Sequence, residues 1–66
     1  MFRLTQERKT KRWTRAKLGG EANLHPATVG TIESGQYRPY PVQLARLAAA
    51  LGFTSDPTAL LEEVQQ

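Results

Sequence analysis

The side chains of this chain that could do chemistry are mostly basic, and they are concentrated in its first half. Residues 1–33 hold seven Lys and Arg against three Asp and Glu, a net charge of +4, whereas residues 34–66 carry a net charge of −1. Such an asymmetry favours a polyanion as the partner of the first half. The alternative is a set of solvated surface cations that bind nothing.

The sequence offers no set of residues suited to catalysis or to metal binding. The chain has one histidine and no cysteine, and no pair of its carboxylates has a spacing suited to acid–base catalysis. Glu62 and Glu63 are adjacent, so their side chains diverge around a helix. We therefore predict no enzyme activity, no metal, no cofactor and no small-molecule substrate.

Length and composition also limit the number of domains and the cellular compartment of the protein. The length of 66 residues allows one domain, 1–66, with one small core. The lack of cysteine excludes a disulfide. No apolar run approaches the length of a membrane span or forms a signal peptide, so we expect a cytoplasmic protein with no membrane partner.

The segment that must position the basic groups is residues 18–35, which reads as a helix, a three-residue corner and a second helix. Asn23 tolerates the left-handed backbone that ends a helix. Pro26 is favoured at a first helical position, and Gly35 is a usual residue just past a helix end. The corner is therefore defined at both of its edges.

The second of these helices has one buried stripe and one plain outer face. Val29 and Ile32 are three residues apart and make the apolar stripe. The opposite face then carries only small residues, namely Ala27, Gly30, Thr31 and Ser34. Two helices joined by so short a corner, over about residues 15–34, are typical of a helix-turn-helix, whose second helix enters the DNA major groove.

The rest of the chain reads as further helices. We predict helices over residues 3–12, 15–22 and 41–51, and a short last helix that begins at Pro57. With the helix over 26–34, the expected fold is all-α, a compact five-helix bundle. Gly19 is expected to allow close backbone contact with the second helix, over 26–34, whereas the pattern gives no reason for Gly20.

Two segments are candidates for phosphate contacts. Thr14 is a good N-cap, and Arg15 lies in the first turn of the helix that follows, where the helix dipole attracts anions. The second segment is a loop that offers Gln36, Tyr37 and Arg38. The alternative for this loop is a structural turn with Tyr40 packed on the core.

The large apolar residues outside the helix-turn-helix have two interpretations. Trp13 is expected to cover the joint between the first two helices, the alternative being stacking on a base. At the C-terminal end, over residues 53–66, the apolar side chains exceed what so small a core needs. They predict a two-fold homodimer with recognition helices about 34 Å apart; the alternative is that they complete the core of a monomer. These residues are Phe53, Leu60, Leu61 and Val64.

Three runs of residues resemble the lambda repressor/Cro-type (XRE-like) helix-turn-helix family over about residues 3–54. The runs are Thr14-x-x-x-Leu18, then Val29-x-x-Ile32-Glu33-x-Gly35-x-x-x-Pro39, then Leu44-x-x-Leu47-Ala48-x-Ala50-Leu51-Gly52. The resemblance implies a sequence-specific double-stranded DNA-binding transcriptional regulator, a repressor or controller, that binds a two-fold operator as a dimer. Its recognition helix, about 26–34, would lie in the major groove.

The resemblance also assigns roles to individual positions. A helix-1 arginine often pairs with a recognition-helix glutamate in that family, and the matching residues are Arg8 and Glu33. Arg15 stands where the family usually has a phosphate-binding glutamine. The matching base-facing positions are His25, Pro26, Ala27, Thr28, Gly30 and Thr31.

The base-facing positions lack the glutamines that several relatives use to read bases. Ala27 and the Thr31 methyl can touch thymine methyl groups, while Thr28, Thr31 and His25 offer single polar atoms. His25 is equally suited to capping the helix. This departure predicts binding that depends more on phosphates and DNA shape. It also leaves open a protein-binding antitoxin or anti-regulator module on the same fold.

Overall fold

A computed structural model of the protein describes residues 1–65. It contains four α-helices, α1 (Arg3–Thr10), α2 (Arg15–Ala22), α3 (Pro26–Glu33) and α4 (Pro41–Leu51), followed by a 3₁₀ helix, Pro57–Leu61. Residues 1–65 form no β-strand, only one antiparallel bridge between Phe2 and Glu63. The all-α class is confirmed.

The expectation of five α-helices is wrong at the C-terminal end. The last element is a five-residue 3₁₀ helix, and it ends at Leu61. The chain then turns to extended backbone, because its peptide groups pair with the N-terminal segment: Arg3 N–H donates to the carbonyl of Glu62 at 2.8 Å, and Val64 N–H donates to that of Met1 at 2.8 Å. Val64 therefore lies outside any helix.

The ends of α2 and α3 follow the local rules of helix capping. Thr14 Oγ1 accepts a hydrogen bond of 3.0 Å from Lys17 N–H, which satisfies a free donor of the first turn. Asn23 ends α2 in the left-handed conformation, with φ 58° and ψ 46°. Pro26 opens α3, as its fixed φ favours.

The core is built around α2, which packs on both α3 and α4, while α4 also packs on the 3₁₀ helix. Val29 and Ile32 of α3 are fully buried, and they hold this helix against α2. Each such side chain contributes about 1.5–3 kcal/mol by burial. The residues of this core cluster are Leu4, Leu18, Ala22, Val29, Ile32, Leu44, Leu47, Ala48, Leu51 and Leu60.

Gly19 is where the corner folds back on α2. A Cβ atom at this position would lie 2.5 Å from the carbonyl oxygen of Leu24 and 3.3 Å from the nitrogen of Pro26. Since both neighbours are backbone atoms of the corner, only glycine allows this approach. A Cβ at Gly20 would meet no atom within 4 Å.

The helices are short. Among residues 1–65 the longest is α4, with 11 residues, and no helix combines the length and the hydrophobicity that crossing a bilayer requires.

Candidate nucleic-acid interface

The outer face of α3 is open to solvent. His25, Pro26 and Ala27 are exposed, and Thr28, Gly30 and Thr31 are partly exposed. None of these six predicted base-facing positions is buried, because α3 uses only Val29 and Ile32 to contact the core. The helix thus offers a narrow, mostly small-residue surface, which only the Arg15 side chain of α2 crosses among residues 1–65.

The polar atoms on this face are not all available to a ligand. His25 Nδ1 accepts a 3.0 Å hydrogen bond from Ala27 N–H, so the imidazole caps α3 and only its Nε2 side faces solvent. The Thr31 hydroxyl donates to the carbonyl of Thr28 at 2.9 Å. The Thr28 hydroxyl makes no hydrogen bond within residues 1–65, so it is the freer of the two threonines.

Glu33, at the last turn of α3, is the charged centre of the site. Its side chain is only 2% exposed, and its two carboxylate oxygens accept hydrogen bonds from Arg8: 2.7 Å from Nε and 3.2 Å from Nη2. Arg8 also donates from Nη1 to the carbonyl of Trp13 at 2.8 Å. The structure thus brings together the pair that the family resemblance implies, and the pair ties α1, the next corner and α3 to one another.

Arg15 joins the same carboxylate from the other side. Its Nε lies 3.0 Å from Glu33 Oε1, while its side chain stays 57% exposed. Its stem crosses α3 at Gly30, with Cδ 3.8 Å from the place that a Cβ would take there. The sequence indicated that Arg15 lies near anions at the start of α2, but it gave no sign of this second link to Glu33.

The loop after α3 divides its residues between two surfaces. Gln36 and Tyr37 line a shallow depression of about 410 Å³ together with Thr28 and Thr31 of α3. Arg38 is exposed and lines the neighbouring hollows, one with Phe2 and one with Asp56. Gln36 and Tyr37 therefore lie beside α3, whereas Arg38 lines hollows that include no residue of α3.

The two tyrosines of this loop have different environments. Tyr37 packs partly on the core, and its hydroxyl donates to Gln43 Oε1 at 3.0 Å. Tyr40 is 68% exposed, so the alternative in which Tyr40 packs on the core is wrong. The reason is that Gln43 Oε1 also accepts from Tyr40 N–H at 2.8 Å, which fixes its backbone at the start of α4 and leaves the ring outside.

The surplus positive charge of the first half lies at the corner between α1 and α2. Its three acidic residues are all paired, Glu7 with Arg3, Glu21 with Lys17, and Glu33 with two arginines. Among residues 1–65, Lys9, Lys11 and Arg12 have no ion-pair partner. These three cations and the net +1 of the Arg8–Glu33–Arg15 group account for the charge of +4.

Trp13 lies in the middle of this basic corner. It is partly buried against the core, which fits its predicted place at the joint between α1 and α2. The ammonium groups of Lys11 and Lys17 lie 5.3 Å and 5.5 Å from the centre of its ring system. The partial burial of the ring and its cation–π contacts with two lysines favour this structural place over stacking on a base.

The residues assigned to a dimer interface are not equivalent. Leu60 is fully buried within one chain, so it cannot reach a partner, which corrects its assignment to that interface. Phe53, Leu61 and Val64 are partly exposed. The Arg3 guanidinium lies over the Phe53 ring, 5.4 Å from its centre, so one face of this ring is covered.

Within residues 1–65, no three His, Cys, Asp or Glu side chains lie close enough together to hold a metal ion. The buried Glu33 carboxylate holds α3 in place through its ion pairs, since it accepts hydrogen bonds only from arginine N–H groups.

The comparisons with known proteins agree with this geometry. A family model described as a helix-turn-helix domain matches residues 2–61. No curated protein and no solved structure matches the chain significantly. The match spans all four α-helices and the 3₁₀ helix, and it includes the corner and the open face of α3. The chain therefore belongs to the helix-turn-helix domain family, whose members bind DNA.

Proposed function

We propose that this protein is a sequence-specific, double-stranded DNA-binding regulator of transcription that inserts α3 into the major groove. The observation that carries the proposal is the open outer face of α3, small in its side chains and flanked by a basic corner with three unpaired cations. A helix with such a face can approach the bases closely, and the cations supply attraction to the phosphates.

The fit of α3 to the groove follows from its side chains. A helix of ordinary width fills the B-DNA major groove, which is about 12 Å wide. Ala27 adds little bulk, so the first turn of α3 can lie deep in the groove. Ala27 and the Thr31 methyl would contact thymine methyl groups, and the Thr28 hydroxyl and His25 Nε2 would form single hydrogen bonds with base edges or phosphates.

The phosphate contacts would come from two segments near the C-terminal end of α3. On one side are the first-turn N–H groups of α2, next to Thr14, which a phosphate can bind as it binds other helix N-termini. On the other side is the loop of Gln36, Tyr37 and Arg38. Because these contacts release counterions, affinity should fall steeply with salt.

Fluorescence anisotropy with a duplex selected from a random pool tests the proposal. Wild-type protein should bind it with a log K that falls linearly with log salt, and Arg38→Gln should reduce that slope by about 0.9. Arg46→Gln is the matched control, because Arg46 is an exposed arginine of α4 beside Glu21 and Asn23, away from the open face of α3. Its slope should stay at the wild-type value.

Absence of binding to any duplex at low salt, by protein that is folded, would overturn this proposal. It would favour the alternative function, a protein-binding antitoxin or anti-regulator that docks the small-residue face of α3 on a partner. Equal slopes for Arg38→Gln and Arg46→Gln would remove Arg38 from the interface.

We also propose that the protein binds a two-fold operator as a homodimer. The partly exposed apolar residues Phe53, Leu61 and Val64 are the candidates for the shared surface, and half-sites would be about 34 Å apart. Sedimentation equilibrium should then give twice the chain mass at high micromolar concentration or on DNA. A monomer under both conditions would contradict the dimer without affecting DNA binding by one chain.

A further inference from the structure

Arg15 lies on α3 although it belongs to α2. Its Cδ and Nη1 lie 3.8 Å and 4.0 Å from the point where a Cβ on Gly30 would stand. Gly30 is on the outer face of α3, so the Arg15 side chain lies against that face, at van der Waals distance from the Gly30 position. The guanidinium of Arg15 thus takes the place of a long side chain on the recognition helix.

The orientation of this guanidinium is fixed by Glu33. Arg15 Nε donates to Glu33 Oε1 at 3.0 Å, and the same carboxylate is held by two hydrogen bonds from Arg8. Since Glu33 is 2% exposed and Arg8 10% exposed, the anchor itself cannot turn. Arg15 is 57% exposed, and within residues 1–65 its Nη1 and Nη2 donate no hydrogen bond.

No side chain of α3 itself can read a base by two hydrogen bonds. Residues 26–34 contain no Arg, Lys, Asn or Gln, and their one acidic residue, Glu33, is occupied by arginines. Guanine presents two acceptors, O6 and N7, to the major groove, and the preferred partner of that pair is an arginine fork. Arg15 is the residue beside α3 that has such a fork free.

We infer that Arg15 is a specificity-determining residue that reads one guanine of each half-site through Nη1 and Nη2, with Glu33 as its positioning residue. The inference rests on the proposed function, since it requires α3 to be in the major groove. It departs from the phosphate role that the place of Arg15 at the start of α2 predicts. A phosphate contact needs the positive charge but no fixed fork, whereas readout of a guanine needs both.

The test is selection of duplexes from a random pool by wild type, Arg15→Lys and Arg15→Gln, followed by affinities on the selected site and its single-base variants. Wild type should prefer one guanine per half-site by on the order of tenfold to a hundredfold. Arg15→Lys keeps the charge but replaces the fork anchored on Glu33 with a flexible ammonium, so it should weaken that preference and keep the preferences at other positions. Arg15→Gln removes both the charge and the fork, so it should abolish the guanine preference. Arg38→Gln, the phosphate control, should weaken all sequences alike.

Three results would overturn the inference. If Arg15→Lys keeps the guanine preference, the fork does not read it. If Arg15→Gln weakens every sequence equally and lowers the salt slope by about one, Arg15 is a phosphate contact, while the proposed function still holds. If wild type binds no duplex at low salt, the proposed function fails together with the inference. Thermal melts of each variant show that loss of preference is not loss of fold, and Arg15→Lys supplies the answer if Arg15→Gln unfolds.

Discussion

Arg8 of α1 and Glu33 of α3, which are 25 residues apart, form two parallel hydrogen bonds of 2.7 Å and 3.2 Å in the interior of the protein. The side chains are 10% and 2% exposed. Such a pair adds little net stability compared with an apolar pair of the same size, because both charges lose their hydration. Its effect is to fix the position of α3 relative to α1, and through Arg15 it extends to the outer face of the recognition helix.

Glu33→Gln should destabilise the protein strongly. It leaves the buried Arg8 guanidinium without a counter-charge, which costs about 3–5 kcal/mol, a large part of the stability of a small domain. Urea denaturation followed by circular dichroism measures the change. Glu7→Gln is the matched control, since the Glu7 pair with Arg3 is 28% and 41% exposed, and such a pair contributes only about 0.2–1 kcal/mol. Equal midpoints for the two variants would contradict this view of Glu33.

Gly19→Ala and Gly20→Ala should have opposite effects on stability. Alanine is a better helix former than glycine by about 0.5–1 kcal/mol, so Gly20→Ala, with open space around its Cβ, should stabilise by that amount. At Gly19 the new methyl would lie 2.5 Å from the Leu24 carbonyl oxygen. The corner must move to admit it, at a cost of about 1–3 kcal/mol.

Thermal melts of both glycine variants give the comparison directly. If both variants had raised melting temperatures, the corner would be able to move aside for the Gly19→Ala methyl group. That result would contradict the close packing between Gly19 and the Leu24 carbonyl. Gly19→Ala should also bind DNA more weakly than its lost stability explains, because the corner sets the angle between α2 and α3.

Sequence pattern predicted the helices whose ends are marked by specialised residues. Thr14 and Asn23 gave the bounds of α2, and Pro41 and Gly52 those of α4, because caps and breakers act through local backbone geometry. The last helix was mispredicted, since its apolar spacing continues to Val64. The backbone there pairs instead with Met1, about sixty residues away, and no local signal reports such a pairing.

In the candidate site, too, features set by local sequence were predicted, whereas a contact between distant residues was not. The outward face of α3 follows from its periodicity, with Val29 and Ile32 inward. The family resemblance supplied the pairing of Arg8 with Glu33. The link from Arg15 was not predicted, because it depends on how α2 packs on α3, which spacing along the chain does not give.

The 3₁₀ helix should lose stability in acid through Asp56. Hydrogen bonds from the Thr58 backbone N–H, and then from the Thr58 hydroxyl, lower the pKa of Asp56 below its usual value of 3.8. A carboxyl whose pKa is lower in the folded than in the unfolded state stabilises the fold above the unfolded pKa. That contribution is lost as the pH falls below 3.8 through the folded pKa.

Asp56→Asn is the variant that isolates this effect, since asparagine also caps helices but does not titrate. The melting temperatures of wild type and variant should differ most near neutral pH and converge as the pH is lowered toward 3. Other carboxylates titrate in both proteins, so the difference is the quantity to follow. A difference that stays constant from pH 7 to 3 would exclude Asp56 as the source.

Arg12 should be a strained residue that glycine relieves. It has φ 60°, and it stands just past α1 in a Schellman motif: Arg12 N–H donates to the Lys9 carbonyl at 2.9 Å, and Trp13 N–H donates to the Arg8 carbonyl at 3.2 Å. The left-handed conformation costs a residue with a Cβ about 1–2 kcal/mol, and glycine is the usual occupant.

Comparison of Arg12→Gly with Arg12→Ala separates strain from charge, because both variants remove the same guanidinium. Arg12→Gly should exceed Arg12→Ala by about 1 kcal/mol in the free energy of unfolding from urea titration. At an ordinary helical position the alanine variant is the more stable by a similar amount. The sign of the stability difference therefore shows whether the left-handed conformation of Arg12 is strained. If alanine is the more stable, the corner relaxes without strain, and Arg12 serves there only as one of the unpaired cations. Both variants should reduce the salt slope on DNA equally if Arg12 contacts a phosphate, since that contact depends on charge alone.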